Sequence, residues 1–131
     1  NLCVAELLKR GELHDQSKLE SPEAELFEEY GPLLKQLTYN SPEYHESLAK
    51  LKPALDHHYA RNAHHPEHYK YGVDDMNLFD VLEMFCDWKA ASERQYNGNL
   101  LTSISKNANR FGLSPQIVKI FENTARIMDN E

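Results

Sequence analysis

The chain has 131 residues, which suits one compact domain with one hydrophobic core and leaves little room for a second. Its 14 basic and 21 acidic residues give a formal charge of −7, which disfavours duplex nucleic acid and anionic membranes as partners. No apolar run approaches the roughly 20 residues of a membrane span and no basic-then-apolar leader is present, so the expectation is a cytoplasmic protein without a membrane partner.

Helical punctuation dominates the pattern, and no run alternates as a strand would. Residues 2–9 read as a helix that Gly11 interrupts or ends, followed by a short turn carrying His14-Asp15. The dipeptides Ser21-Pro22, Ser41-Pro42 and Ser114-Pro115 mark helix starts: Ser suits the N-cap, and Pro suits the first helical position, where its missing N–H would be unpaired anyway. The helix from Pro22 should break or kink at Gly31-Pro32. The helix from Pro42 should stop near Leu51, with a new one from Pro53, because proline clashes within a helix. That new helix carries Asp56, His57, His58 and Arg61. Residues 62–73 read as a loop, with Pro66 and Gly72 and no apolar periodicity. Asp74 or Asp75 caps the next helix, which runs to about Tyr96 and ends at Asn97-Gly98-Asn99. Two helices, near 100–110 and 115–129, close the chain. The reading is an all-α protein, a single bundle over residues 1–131 with about six to seven helices.

Within the 75–96 helix, Leu78, Val81, Leu82, Phe85, Trp88 and Lys89 form one broad stripe. Asp80, Met84, Asp87 and Ala91 form an adjoining one. Two carboxylates on a face that reads as buried need partners or a cation. Asp80 equally suits a solvated or ion-paired role. The cysteines, Cys3 and Cys86, sit among apolar residues and read as buried free thiols of a reducing compartment.

Six of the seven histidines fall in two segments. The first reads Glu12-Leu13-His14-Asp15-Gln16-Ser17-Lys18. The second runs from Asp56-His57-His58 through His64-His65-Pro66-Glu67-His68. Neutral imidazole is the commonest protein ligand for transition metals, so this density with acids nearby points to a metal centre. His57 and His58 point about 100° apart on a helix, so one of the two faces a given ion. His64 and His65 precede Pro66, which extends the backbone and can aim one ring inward. The competing reading is a solvated His-rich loop. A helix-terminal His followed by a capping Asp would equally explain His14-Asp15. No zinc-protease helix, glycine-rich phosphate loop, Cys-based zinc site or paired Glu-x-x-His motif is present.

The ordered set Gly11-Glu12-Leu13-His14-Asp15-Gln16-Ser17-Lys18, Asp56-His57-His58, His64-His65-Pro66-Glu67 and Phe85-Cys86-Asp87-Trp88-Lys89 resembles the HD-domain superfamily of metal-dependent phosphohydrolases. More narrowly, it resembles a small bacterial and phage branch of it. The resemblance implies an HD-type helical bundle holding one or two divalent ions (Mn, Fe, Co, Mg, Zn or Ni). It places His14 and Asp15 as the central pair and Asp87 as the late helical acid, with Asp80 as the fallback. His58 and His65 become the extra ligands of two-metal members, with His57 and His64 as rivals. The superfamily's first His lies on the preceding helix, whereas residues 1–13 hold none. That His would lie upstream of Asn1, or another residue would replace it.

The implied activity is hydrolysis of a nucleotide or other small phosphoester by a water that the metal activates. Candidate catalytic residues are Asp15, Lys18 and Arg61, the last two to neutralise phosphate charge, and Glu67 or His68 to move a proton. Lys18 and Arg61 read equally as ordinary solvated charges. The same ligand set can hold two irons and activate oxygen, and a non-catalytic metal-binding interaction module is the third reading. A homodimer is left open.

Overall fold

The computed structural model describes residues 1–129. Six α-helices and three short 3-10 turns account for the ordered elements, with no strand among the described residues. The all-α expectation is met. None of these helices is long and apolar enough to cross a membrane. The chain divides into two compact units, Asn1–Ala63 and the part from His64 onward.

In the first unit, α1 spans Leu2–Leu13 and is capped by Asn1, whose side chain accepts from the Cys3 N–H at 2.9 Å. Gly11 does not end it. Mid-helix glycine costs only about 1 kcal/mol, and the Glu6–Arg10 pair at 3.1 Å supports the preceding turn. Helix α2 spans Glu23–Gln36 and α3 spans Pro42–Arg61, each with a proline inside, and both run unbroken where breaks were expected. The reason is the same in the two cases. Pro32 and Pro53 lie on exposed faces, as do Glu28 and Ala49 four residues earlier. Water can therefore solvate the carbonyl that each proline leaves without an N–H partner. On the opposite face of α3, Leu51, Ala54 and His58 are buried at helical spacing straight across Pro53.

The Ser-Pro signals resolve differently. Ser41 caps α3 by accepting from the Tyr44 N–H at 3.1 Å. Pro22 itself occupies the N-cap of α2, and the Ser21 hydroxyl donates to Glu25 instead. The 3-10 turn Gln16–Leu19 packs on both α2 and α3. The interior of this unit is unusually polar: Ser17, Glu23, His58 and Asn62 are buried beside Leu51 and Ala54.

In the second unit, 3-10 turns at Pro66–His68 and Gly72–Asp75 lead to α4 (Leu78–Arg94), α5 (Leu100–Phe111) and α6 (Pro115–Asp129). Its core is apolar: Met84, Phe85, Leu100, Ile104, Phe121 and Ala125, with Val81, Trp88 and Ile117 packed around them. The stripe read for α4 is rotated. Leu78 is 76% exposed, while Asp80 is fully buried. Neither Asp74 nor Asp75 caps α4. Asn77 does, accepting from the Asp80 N–H at 2.9 Å while Asp80 accepts from the Asn77 N–H at 3.1 Å, a reciprocal capping box. Tyr69 donates to the same Asp80 carboxylate at 2.6 Å. That carboxylate is therefore a structural cap, which answers why an acid is buried there.

The turn at Gly98 needs glycine, since a Cβ there would lie 1.7 Å from the Ser92 carbonyl oxygen. Cys3 and Cys86 are both free thiols, but they are exposed rather than buried. Apolar neighbours in sequence do not set the helix face: α1 buries none of its residues, and Cys86 follows the buried Phe85 on the outer side of α4.

Asn77→Ala should cost about 1 kcal/mol by removing the cap, whereas Asp74→Ala should change stability by no more than a few tenths. Urea unfolding of both variants measures this. A larger loss for Asp74→Ala would contradict the capping assignment.

Candidate metal centre

The first donor set is built where α1 ends. His14 leaves the helix with ψ 127, and Asp15 follows in the left-handed region at φ 55 and ψ 19, a conformation that Asp tolerates better than most residues. This reversal lets two adjacent side chains serve one locality. His14 Nε2 lies 3.4 Å from Asp15 Oδ2, and Lys18 Nζ donates to the same oxygen at 2.7 Å. The other oxygen, Oδ1, lies 3.4 Å from His58 Nε2.

What aims His58 is Glu23. This carboxylate is fully buried. His57 Nδ1 and His58 Nδ1 approach its two oxygens at 2.6 Å each. Burial pushes the Glu23 carboxyl up, but hydrogen bonds from His57, Ser17 and His58 outweigh it, and its pKa falls below the ordinary 4.5. Glu23 is thus ionised at neutral pH. A carboxylate only accepts, so both Nδ1 atoms carry the proton. In neutral His58 this leaves the lone pair on Nε2, which faces Asp15. Asn62 completes the frame: its amide donates to Ser17 Oγ and to the His58 carbonyl oxygen, each at 2.8 Å.

Two lone-pair atoms 3.4 Å apart repel unless a proton or a metal cation lies between them. Adjacent ligands on an ion with bonds near 2.1 Å lie about 3.0–3.4 Å apart. The donor chemistry therefore fits a cation. The orienting carboxylate behind the imidazole is the arrangement that fixes tautomer and ring angle in metal sites.

The second unit repeats the scheme. His64, 1% exposed, places Nδ1 at 3.1 Å from Glu83 Oε1 and Nε2 at 3.8 Å from Asp87 Oδ2. The His65 ring lies against that of His64, with centroids 4.2 Å apart. Donor atoms lie within 4.8 Å of one another for Asp15 with His14 and with His58 in the first unit, and for His64 with His65 and with Asp87 in the second. Each unit thus brings together pairs of donors, with His and carboxylate both represented, that are compatible with a metal.

Of the residues singled out from the sequence, the structure gathers His14, Asp15, His58 and Lys18 in one unit and His64, His65 and Asp87 in the other. His57 turns to Glu23, with Nε2 at 3.9 Å from Glu20. Arg61 pairs with Glu20 at 3.4 Å on the surface. Glu67 accepts from Arg110 at 2.8 Å, and His68 is exposed beside Tyr69. The sequence reading missed Glu23 and Glu83. Glu83 stands four residues before Asp87, a same-face spacing that could have exposed it. Glu23 lies 34 residues from His57 and looked like an ordinary acid at a helix start.

Glu23→Gln should lower stability by roughly 3 kcal/mol at neutral pH, because a buried ionic cluster loses its centre. A carboxyl whose folded-state pKa is depressed stabilises fully above its ordinary value, and that stabilisation fades as pH falls through the folded-state value. The gap between wild type and Glu23→Gln should therefore shrink on acidification below 4.5. Urea midpoints across that range test it, and a gap that stays constant would contradict the assignment.

A family model described as a family of unknown function, DUF5662, matches residues 1–127. No curated protein and no solved structure matches the chain. The match covers nearly the whole sequence, and the chain belongs to the DUF5662 family.

Proposed function

We propose that this chain is a metal-dependent phosphohydrolase acting on a small phosphoester, with a nucleotide as one candidate class, and that its divalent ion or ions are held by donors drawn from His14, Asp15 and His58 in the first unit and from His64, His65 and Asp87 in the second. The observation that carries this reading is the His58 Nε2 to Asp15 Oδ1 approach of 3.4 Å, enforced from behind by an ionised, buried Glu23. Zn, Mn and Mg centres take four to six ligands, more than the donors that each unit brings together. A water or a phosphate oxygen would supply the remainder for either set. The ordered segments that resemble HD-domain phosphohydrolases support the same reading.

A bound divalent cation would supply Lewis acidity, lowering the pKa of a water and polarising a phosphoryl oxygen. Asp15 would present one oxygen to the ion, while Lys18 holds the other at 2.7 Å. The Lys18 ammonium is half exposed, which leaves it able to swing onto an incoming phosphate and offset its charge. Glu23 and Glu83 would keep His58 and His64 in the tautomer with Nε2 as ligand. Arg61 and Glu67 are held in surface ion pairs with Glu20 and Arg110, so the chemistry is assigned to Asp15 and Lys18.

The purified chain should bind a divalent ion and hydrolyse members of a small phosphoester panel only when that ion is present. Asp15→Asn and His64→Gln should each abolish turnover with the fold intact by circular dichroism. Glu83→Gln should weaken metal affinity about 10- to 100-fold, read by competition with a chromogenic chelator. Turnover that survives Asp15→Asn or His64→Gln would sink the proposal. So would a metal-loaded protein that hydrolyses nothing in the panel. Iron with an oxygen-dependent product would replace it with an oxygenase.

A further inference from the structure

A cleft of about 390 Å³ opens in the second unit between the C-terminal end of α4, the 97–99 turn and one face of α5. It falls in the lower part of the range of small-molecule pockets, about 300–1,000 Å³. Its lining is unlike the rest of this acidic chain. Ser92, Gln95, Asn99 and Thr102 offer hydroxyls and amides, Lys106 offers a cation beside Arg110, whose charge is partly offset by Glu67 at 2.8 Å, and no acidic or aromatic residue lines it among the described residues. In a chain of charge −7, a concave surface that carries Lys106 and an exposed Arg110 and is lined by no carboxylate favours an anion. The absence of an aromatic wall removes the stacking that a nucleobase would use, while amides and hydroxyls match a ligand rich in hydroxyl groups.

The cleft is a built feature. Gly98 lets the turn close onto α4, since any Cβ would strike the Ser92 carbonyl. Asn99 is held by accepting from the Thr102 N–H at 3.0 Å. Lys106 and Arg110 lie four residues apart on α5 and so share a face. Arg110 is anchored by Glu67 at 2.8 Å and lies over the Phe111 ring. The cleft also adjoins the donors of its own unit. Ala91, which lines it, is one turn beyond Asp87 on α4, about 6 Å along the helix axis. Glu67 belongs to the turn that follows His64-His65.

We infer that this cleft binds a phosphorylated sugar, its phosphate on Lys106 and Arg110 and its hydroxyls on the amides and hydroxyls of the wall. Taken as the anchoring end of the substrate, an assignment that rests on the hydrolase reading above, this narrows the substrate to a sugar that carries a second phosphate remote from the one cleaved. Binding to the cleft needs no metal and stands apart from that reading.

The test is calorimetric titration of the whole, chelator-treated chain with ribose 5-phosphate, inorganic phosphate and adenosine 5′-monophosphate. Ribose 5-phosphate should bind, and more tightly than inorganic phosphate. Adenosine 5′-monophosphate should bind no more tightly than the sugar phosphate. Lys106→Gln, at an exposed position, should weaken ribose 5-phosphate about five- to tenfold. Thr102→Val should weaken it about threefold and leave inorganic phosphate unaffected. Absence of binding, indifference to Lys106→Gln, or equal affinity for inorganic phosphate would overturn the inference, as would a tenfold preference for the nucleotide. Sugar-phosphate binding in a chain without hydrolytic activity would leave the cleft standing and defeat only the hydrolase reading.

Discussion

A carboxylate with no contact to water has to be surrounded by donors, and Glu23 imposes that demand on the whole first unit. Burying an unpartnered charge would cost several kcal/mol. The cost is offset only if α3 presents both His57 and His58 to α2 and the 3-10 turn brings Ser17 alongside. That requirement sets how α2 and α3 are turned towards each other. It also selects the tautomer of His58 and delivers its Nε2 to Asp15. The donor geometry is therefore a by-product of keeping one buried acid ionised.

The two units reach similar donor sets from different interiors. The first relies on a polar cluster with little apolar packing behind it: Leu51 and Ala54 are its buried apolar residues. The second has a contiguous apolar core under α4, α5 and α6, so Glu83 and Asp87 sit at its margin, partly open to water. Hydrogen bonds are directional and specify angles sharply, whereas apolar packing specifies volume. His58 is accordingly fixed by a 2.6 Å contact. His64 is fixed by burial, with longer polar contacts of 3.1 and 3.8 Å.

Much of the helical layout was legible in the chain. Ser41-Pro42 marks the start of α3, Asn97-Gly98-Asn99 separates α4 from α5, and Pro115 opens α6, because caps and turns are local interactions between neighbours in sequence. The same local rules misplaced the breaks at Pro32 and Pro53. Whether a proline ends a helix depends on which face it occupies and whether the carbonyl behind it can meet water, and both are tertiary facts. Cys3 and Cys86 were misjudged for the same reason, since apolar neighbours along a helix point elsewhere.

For the candidate site, the sequence by itself determined the inventory. It shows two histidine-rich segments, an His14-Asp15 pair and a late helical acid, because residue type alone decides which atoms can ligate a cation. Only the tertiary structure decided the roles. It turned His58 rather than His57 towards Asp15, made Asp80 a cap, and revealed Glu23 and Glu83 as the groups that orient the imidazoles. Those choices rest on contacts between residues distant in the chain, 34 positions apart for Glu23 and His57. They also rest on burial, which turns an ordinary glutamate into a charge that its surroundings must satisfy.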